Sequence, residues 1–256
     1  MMGTSSKSAI EFDTAAVTHQ GKVRKYNEDS IFTNPTLGLW LVADGMGGHK
    51  DGNVASAMIA DSAKSLSPSS SREHFLKQFE DKLRDVNHRL LLLSNGDSAS
   101  IVGSTVAGLI IQDNIYTCIW AGDSRCYRIR AGDIQQVSHD HTEVQELVDK
   151  GMITKEEART WPRRNVITRA VGAHEDFQLE TVSGQAMLGD CFVLCSDGLT
   201  GHISDQEILT NVNWQSGKIA CDKLLAMALE RGGKDNISII IVNVMQRDTT
   251  TVVHRW

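Results

Sequence analysis

Acidic residues occupy five sites at which apolar, strand-like runs of this chain begin or end. They are Glu28, Asp29, Asp44, Asp123, Asp197 and Asp235. Glycine accompanies several of them, as in "LVADGMGG" and "LCSDGL", and a single Asp-Gly pair is an ordinary turn signal. The recurrence is more informative, because carboxylates gathered in one cleft repel one another and must take up protons or bind cations.

No histidine or cysteine accompanies these residues at the spacing of metal ligands, so every ligand would be an oxygen atom. Oxygen ligands suit hard cations, and the pattern therefore predicts Mg²⁺ or Mn²⁺ rather than zinc. An EF-hand is excluded, since the chain has no D-x-D-x-D-G loop closed by glutamate.

Arg24 lies four residues before Glu28 in "GKVRKYNED". Beside a cluster of carboxylates and metal ions, a guanidinium can hold a phosphate group through paired hydrogen bonds. The ordinary alternative is a surface arginine that pairs with Glu28. The residues alone leave both interpretations open.

Alternating apolar runs predict the strands that must position these side chains. Short turn signals join the runs in pairs, which predicts antiparallel hairpins. The pairs are "DSIFTN" with "LGLWLVAD", "STVAGLII" with "IYTCIWAGD", "RCYRIR" with "IQQVS", and "FQLETVS" with "DCFVLCSD". A last strand is predicted in "NISIIIVNV".

Helices are predicted between the hairpins. "NVASAMIADSAKSL" follows the glycine loop, and residues 71–96 carry apolar side chains three and four positions apart before Asn95-Gly96 ends the helix. "SDQEILTNV" and "GKIACDKLLAMALERGG" form a second pair. Two helix pairs and two sets of hairpins favour an α+β sandwich in which helices cover two packed sheets.

Composition narrows the class of protein. A hydrophobic content of 41% in 256 residues supports a full core, and only 3 prolines leave no evident linker, so we expect one domain over residues 1–256. The net charge of −6 argues against nucleic-acid binding. The 5 cysteines are scattered and no apolar stretch suits a membrane span or secretion signal, so we expect a cytoplasmic protein.

A series of short motifs runs along nearly the whole chain. It comprises "GKVRKYNEDS", "LVADGMGGH", "GST" at 103–105, "AGDSR", "SHDHT", "NVITRAVG", "LCSDGLT" and "KDNIS". In this order and spacing the motifs resemble those of the metal-dependent protein phosphatases, the PPM or type 2C serine/threonine family, of the compact bacterial kind. The resemblance implies a four-layer αββα sandwich of two mainly antiparallel sheets flanked by helix pairs, with a binuclear metal centre in the cleft between the sheets.

The resemblance also implies a role for each matching residue. Asp44 would bridge two tightly bound Mn²⁺ or Mg²⁺ ions, and the Gly45 carbonyl would bind one of them. Asp197 and Asp235 correspond to ligands of the first ion. Glu28 corresponds to a ligand of the second, largely through water.

Three further residues match the edge of this site. Asp29 is similar to an acid that acts through water. Asp123, together with Asp197, matches a third and weaker metal site. Arg24 matches the phosphate-binding arginine, so the resemblance implies that Arg24, Asp44 and Asp197 carry catalysis.

Two departures from the family pattern concern the general acid and the substrate. Met46 stands where many eukaryotic members have a histidine that is proposed as the general acid. His49 nearby could donate a proton or pack on the helix start, and we expect packing. Trp161 stands where many relatives have histidine. It lies in the variable flap, residues 143–165, so the change is expected to bear on substrate choice.

The implied reaction is hydrolysis of phosphoserine and phosphothreonine by a metal-activated water. A cysteine-dependent phosphatase needs a Cys-x₅-Arg loop, and no cysteine of the chain has arginine at that spacing. A pseudo-phosphatase would be expected to have lost metal ligands, which are present here. The expected partners are phosphorylated proteins and a serine/threonine kinase of the eukaryotic-like bacterial type or its substrates, met by a monomer, with no nucleic acid and no membrane.

Overall fold

The computed structural model describes residues 10–47, 51–94, 102–212 and 216–247. The strands are β1 (Ile10–His19), β2 (Asp29–Asn34), β3 (Leu39–Met46), β4 (Gly103–Ser104), β5 (Val106–Gln112), β6 (Ile115–Ala121), β7 (Arg125–Arg130), β8 (Asp133–Gln136), β9 (Glu180–Gln185), β10 (Cys191–Cys195) and β11 (Ile237–Gln246). The helices are α1 (Asp51–Lys64), α2 (Arg72–Leu93), α3 (Glu143–Asp149), α4 (Lys155–Arg159), α5 (Asp197–Thr200), α6 (Asp205–Val212) and α7 (Gly217–Glu230).

The strands form two antiparallel sheets. One has the order β1-β11-β10-β7-β8, and the other has the order β2-β3-β5-β6-β9 with β4 added beside β3. The first three predicted hairpins are confirmed as the pairs β2–β3, β5–β6 and β7–β8.

Side-chain alternation along β3 shows how the layers are built. Leu39, Leu41 and Ala43 contact the apolar layer formed with α1 and α2, whereas Trp40 and Val42 contact the layer between the two sheets. Successive strand residues point to opposite faces, so a strand that is buried on both faces reads as a continuous apolar run.

The second sheet has the same arrangement. In β11, Ile239 and Ile241 join the apolar layer of α5, α6 and α7, whereas Ile240 and Val242 join the layer between the sheets. The order of layers is therefore helices, sheet, sheet, helices, which confirms the α+β, αββα architecture.

The fourth predicted hairpin is wrong. β9 pairs only with β6, whereas β10 pairs with β7 and β11 in the other sheet. The turn between them crosses from one sheet to the other, since the Ala186 N–H donates to the Asn114 carbonyl and the Gly189 N–H donates to the Val244 carbonyl. β1, which the sequence patterns did not predict, pairs with β11 along its full length.

The two predicted helix pairs are confirmed as α1 with α2 and α6 with α7. α2 ends at Leu93 with Ser94 as its cap, and the predicted stop at Asn95-Gly96 lies outside the described residues. None of the helices in the described part of the chain has the length and apolar character that crossing a bilayer requires.

The flap, residues 143–165, contains the short helices α3 and α4. Its base is closed by an antiparallel bridge between Thr142 and Ile167. An ion pair of 2.8 Å joins Arg163 near its end to Glu143 at its start.

The topology brings the acidic residues to one end of the sandwich. Asp29 begins β2 and Asp44 lies near the end of β3, and the two are cross-strand partners. Asp123 and Asp197 each lie two residues after a strand ends, and Asp235 lies two residues before β11 begins. Because neighbouring strands are antiparallel, these starts and ends meet at the same edge.

Candidate active site

Asp29 lies inside the cleft between the sheets. Its Oδ2 accepts hydrogen bonds from the hydroxyls of Ser196 at 2.8 Å and Ser238 at 2.6 Å, whereas its Oδ1 is buried without a partner. Burial raises the pKa of Asp29 to about 7, although the two serine hydrogen bonds oppose the shift. This carboxyl therefore has an unmet need for a proton or a cation.

The backbone of Asp44 is held by the "GST" motif. The Asp44 N–H donates to Thr105 Oγ1 at 3.1 Å, and the Asp44 carbonyl accepts from Ser104 Oγ at 3.0 Å and from the Thr105 N–H at 2.9 Å. Burial raises the pKa of the Asp44 carboxyl well above its usual range, and the charges of Asp29 and Asp197 add to the shift. The motif thus holds the Asp44 carboxylate close to the other acids of the cluster, whose charges repel it.

Asp123 and Asp197 extend the cluster. Burial raises the pKa of Asp123 well above its usual range, with the charge of Asp197 as the next cause, and Asp123 Oδ1 has no hydrogen-bond partner. Burial raises the pKa of Asp197 to about 6, and the charge of Asp235 adds to it. These groups therefore titrate as a cluster of mutually repelling acids.

Two glycines are required where β3 meets α1. The Gly45 N–H donates to the Glu28 carbonyl at 3.1 Å, and a Cβ on Gly45 would collide with the carbonyl oxygens of Gly52 and Glu28. A Cβ on Gly52 would come within 2.7 Å of Glu28 Oε1, which is buried and has no hydrogen-bond partner. Gly45 thus allows close approach to the backbones of Glu28 and Gly52, and Gly52 leaves room for the Glu28 carboxylate.

Arg24 contacts Asp235. Its Nη2 donates to Asp235 Oδ2 at 2.6 Å, and this hydrogen bond is the main reason why the pKa of Arg24 is raised. The Arg24 side chain is 50% exposed, so it lies at the rim of the cleft. The sequence-based alternative of an ion pair with Glu28 is therefore not what the structure contains.

Asn236 is a site residue whose role the sequence patterns did not reveal. Its Oδ1 accepts from the Glu28 N–H at 2.7 Å, and its Nδ2 donates to the carbonyls of Gln20 and Tyr26, both at 2.9 Å. The buried amide therefore joins the loop that carries Arg24 to the start of β11. In the sequence, its position next to Asp235 in "KDNIS" could have indicated that Asn236 belongs to the site.

His141 is a second such residue. The Gly122 N–H donates to His141 Nδ1 at 3.1 Å, and the His141 N–H donates to the Gly122 carbonyl at 2.9 Å. Burial lowers the pKa of His141, which favours the neutral ring that can accept this hydrogen bond. The "SHDHT" motif thus holds the backbone just before Asp123.

The residues that depart from the family pattern lie around this site. Met46 ends β3 and is partly exposed. Trp161 follows α4 and is half-buried in the flap. His49 lies outside the described residues, so its expected packing stays a prediction.

The donor set fits hard divalent cations. Among the residues that the structure describes, three buried carboxylate oxygens have no hydrogen-bond partner, namely Glu28 Oε1, Asp29 Oδ1 and Asp123 Oδ1. Within the described ranges, however, no three Asp, Glu, His or Cys side chains already converge as a ready ligand set. Leaving the three unpaired oxygens buried and uncompensated is costly, so a bound cation would stabilise them.

Comparison with known proteins assigns the family. The chain belongs to the protein phosphatase 2C family, whose family model matches residues 19–217. It is 34% identical over 235 residues to PstP of Mycobacterium tuberculosis, named a serine/threonine protein phosphatase, and the match covers 91% of this chain and 45% of PstP. The chain thus spans about half the length of that relative.

A shorter relative is matched almost completely. The serine/threonine phosphatase stp of Listeria monocytogenes is 32% identical over 244 residues, which cover 91% of this chain and 95% of stp.

Solved structures agree with the fold. PppA of Pseudomonas aeruginosa, described as a key regulatory component of T6SS, has a TM-score of 0.85 and 37% identity, covering 92% of this chain and 98% of PppA. The catalytic domain of PstP, solved in complex with 2 manganese ions, has a TM-score of 0.83 and 31% identity, covering 93% of this chain and 100% of that one.

We expect Asn236→Ala to destabilise the fold. The substitution leaves the Glu28 N–H and two carbonyl oxygens without their partner, so the free energy of unfolding should fall by about 1–3 kcal/mol. Asn243→Ala in β11 is the matched control, because that amide donates to the exposed Asp13 and its loss should cost less than about 0.5 kcal/mol. Urea unfolding measures both, and equal losses would contradict the bridging role of Asn236.

We also expect the metal-free protein to lose stability as the pH rises. The pKa values of Asp29 and Asp197, about 7 and about 6, lie above those of the unfolded chain. The folded state then binds more protons than the unfolded state between about pH 4 and about pH 7, so these groups lower the free energy of unfolding across that window. Thermal melts in EDTA measure the change.

Asp29→Asn is the control for this pH dependence. The amide cannot ionise, so the variant should gain stability relative to the unsubstituted protein as the pH rises through the window. A stability difference that is constant with pH would mean that Asp29 does not titrate as proposed.

Proposed function

We propose that this chain is a metal-dependent protein serine/threonine phosphatase, a single catalytic domain over residues 1–256 with a variable flap at 143–165. The observation that carries the proposal is the set of unpaired, buried carboxylate oxygens on Glu28, Asp29 and Asp123. Buried acids in this state are compensated by cations, and their all-oxygen chemistry suits Mn²⁺ or Mg²⁺.

We assign the ligands from the resemblance to the metal-dependent protein phosphatases, residue by residue on the motifs that match. Asp44 would bridge two tightly bound ions and the Gly45 carbonyl would contact one. Asp197 and Asp235 would hold the first ion, and Glu28 the second. The ions, when bound, supply positive charge to the phosphate and lower the pKa of the attacking water.

Two aspartates and one arginine complete the proposed site. Asp29 would act through water, and Asp123 with Asp197 would hold a third, weaker ion. Arg24 would bind the phosphate of the substrate. Its hydrogen bond with Asp235 uses one of the five N–H donors of the guanidinium, so the remaining donors are available for paired bonds to phosphate oxygens.

Cysteine chemistry does not fit the structure. All five cysteines, at positions 118, 126, 191, 195 and 221, are buried and free. Burial raises the pKa of Cys191 to about 12 and that of Cys118 well above its usual range. A thiol needs its thiolate form to attack phosphorus, so none of these groups is a plausible nucleophile.

The proposed partners are phosphorylated proteins in the cytoplasm. The names of PstP and stp support serine and threonine phosphate as the target, and a bacterial eukaryotic-like serine/threonine kinase would supply it. We propose that the chain acts as a monomer. The likeness to PppA makes a phosphorylated component of a secretion system a second candidate substrate.

Metal dependence tests the proposed activity. Hydrolysis of a phosphothreonine peptide should stop in EDTA, return with Mn²⁺ or Mg²⁺, and withstand alkylation of thiols, because the nucleophile is water rather than cysteine. Asp235→Asn should abolish most activity and weaken Mn²⁺ binding in calorimetry. Asp222→Asn on α7, whose carboxylate is 57% exposed, is the control and should change neither. Full turnover in a metal-free sample would overturn the assignment.

Arg24→Ala should mainly raise KM for phosphopeptides. A phosphate contact made in the ground state is lost, while kcat depends on the remaining cluster. Calorimetric Mn²⁺ affinity should stay close to that of the unsubstituted protein. An unchanged KM combined with weakened metal binding would show instead that Arg24 only orients Asp235. Lys25→Ala, an exposed neighbour in the same loop, serves as the control.

A further inference from the structure

A groove leads away from the acidic cluster. It has a volume of about 540 Å³, begins at Asp123 and Asp197, and runs between the flap and the segment that joins α5 to α6. Lys155 and Arg164 line its flap side, and His202 lines the opposite side. Volumes of roughly 300–1,000 Å³ are typical of ligand sites, so the groove has room for a short peptide segment.

The acidic residues that line this groove already have partners. Asp140 accepts three hydrogen bonds from the half-buried Arg125, at 2.6 to 3.0 Å. Asp205 accepts from the Tyr127 hydroxyl at 3.0 Å. Arg125 thus compensates the charge of Asp140, whereas the neutral Tyr127 hydroxyl supplies no opposing charge to Asp205.

Glu207 is neutralised as well. It forms two hydrogen bonds with Arg231, and one of its oxygens also accepts from Ser204. The hydrogen bond with Arg231 is the main cause that lowers the pKa of Glu207 to about 2, so it remains an ionised partner of that arginine. Of the three acids, Asp140 and Glu207 are paired with arginines, and Asp205 has no ion pair in the described ranges.

The lysine and the arginine on the flap side lack such ionic partners among the described residues. Lys155 and Arg164 are exposed, and neither forms an ion pair within 4.0 Å with an acid in the described ranges. Lys155 interacts electrostatically with Asp149, whose carboxylate is hydrogen-bonded to His139 at 2.7 Å. In the part of the chain that the structure describes, two cations without ion pairs thus face one acid without an ion pair, Asp205, so the net free charge of the groove beyond the acidic cluster is positive.

We infer that this groove binds an acidic segment next to the phosphorylated residue of a protein substrate, with Lys155 and Arg164 contacting its carboxylates. The inference rests on the proposed phosphatase function, because the phosphate must be directed to the end of the groove that Asp123 and Asp197 form. An extended chain advances about 3.3–3.6 Å per residue, so a few residues beside the phosphate reach along the flap. The chain as a whole carries a net charge of −6, so such recognition depends on these local cations.

Two synthetic phosphothreonine peptides test the inference. One carries aspartates on both sides of the phosphothreonine, and the other carries serines. With Mn²⁺ present, kcat/KM for the acidic peptide should exceed that for the neutral peptide by about three- to tenfold, as expected for two exposed charge pairs. The ratio should shrink at high ionic strength, because salt screens exposed charges.

Lys155→Ala combined with Arg164→Ala should bring this ratio close to one, mainly through KM for the acidic peptide. Lys77→Ala combined with Lys218→Ala removes the same charge from the exposed faces of α2 and α7, away from the groove, and should keep the original ratio. Thermal melts of both double variants verify that they are folded. A loss of preference in both would show that net charge, not the groove, is responsible, which overturns the inference.

Reversing the charge of Lys155 and Arg164 tests the inference through a new substrate preference. Lys155→Glu combined with Arg164→Glu should favour a peptide with lysines on both sides of the phosphothreonine over the acidic peptide. Equal hydrolysis of the acidic and neutral peptides by the unsubstituted protein would overturn the groove assignment while leaving the phosphatase function intact. Failure to hydrolyse either peptide would instead overturn the proposed function, and the groove assignment with it.

Discussion

The repulsion among carboxylates at one end of the sandwich is the constraint on which the rest of the structure depends. Asp29 and Asp44 are directly opposite each other on adjacent strands, a placement that is destabilising for two like charges. The cost is tolerated because three apolar layers hold the strands in register from outside the site. Stability thus comes from the layers, and the strand ends are left free to carry an unfavourable cluster.

Backbone contacts, more than side-chain contacts, set the position of each acid. Ser104 and Thr105 hold the backbone of Asp44, His141 holds the residue before Asp123, and Asn236 joins β11 to the loop before Glu28. These contacts are made by neutral donors and acceptors, which can stay buried without adding charge to the cluster. A rigid backbone with unsatisfied carboxylates is preorganised for cations, since little reorganisation is needed when they bind.

Much of this arrangement could be predicted from the sequence, because its signals are local. Apolar runs that end in Asp or begin after it located the acids, and helical spacing located the paired helices. The sheet that a strand joins is not local information, and for that reason β9 and β10 were wrongly paired. The alternating run "FQLETVS", which overlaps the exposed edge strand β9, and the apolar run of the buried strand β10 both predicted strands, and Leu188-Gly189 between them gave the signal of a tight turn. β1 was missed because its half-buried pattern becomes interpretable only through its pairing with β11. The role of Asn236 was missed because its side chain is hydrogen-bonded to residues more than 200 positions earlier in the sequence.

The distribution of charge follows from the same constraint. A phosphate group that approaches unpaired carboxylates is repelled, and the net charge of −6 adds to that repulsion at long range. Cations near the cleft must therefore lie close enough to act locally without neutralising the cluster of acids. Arg24 sits at the rim with one hydrogen bond to Asp235, and Lys155 and Arg164 stand beyond it on the flap, free of acidic ion pairs in the described ranges. Because these cations lie on different segments, the sequence of the flap can change without altering the strand ends that hold the carboxylates.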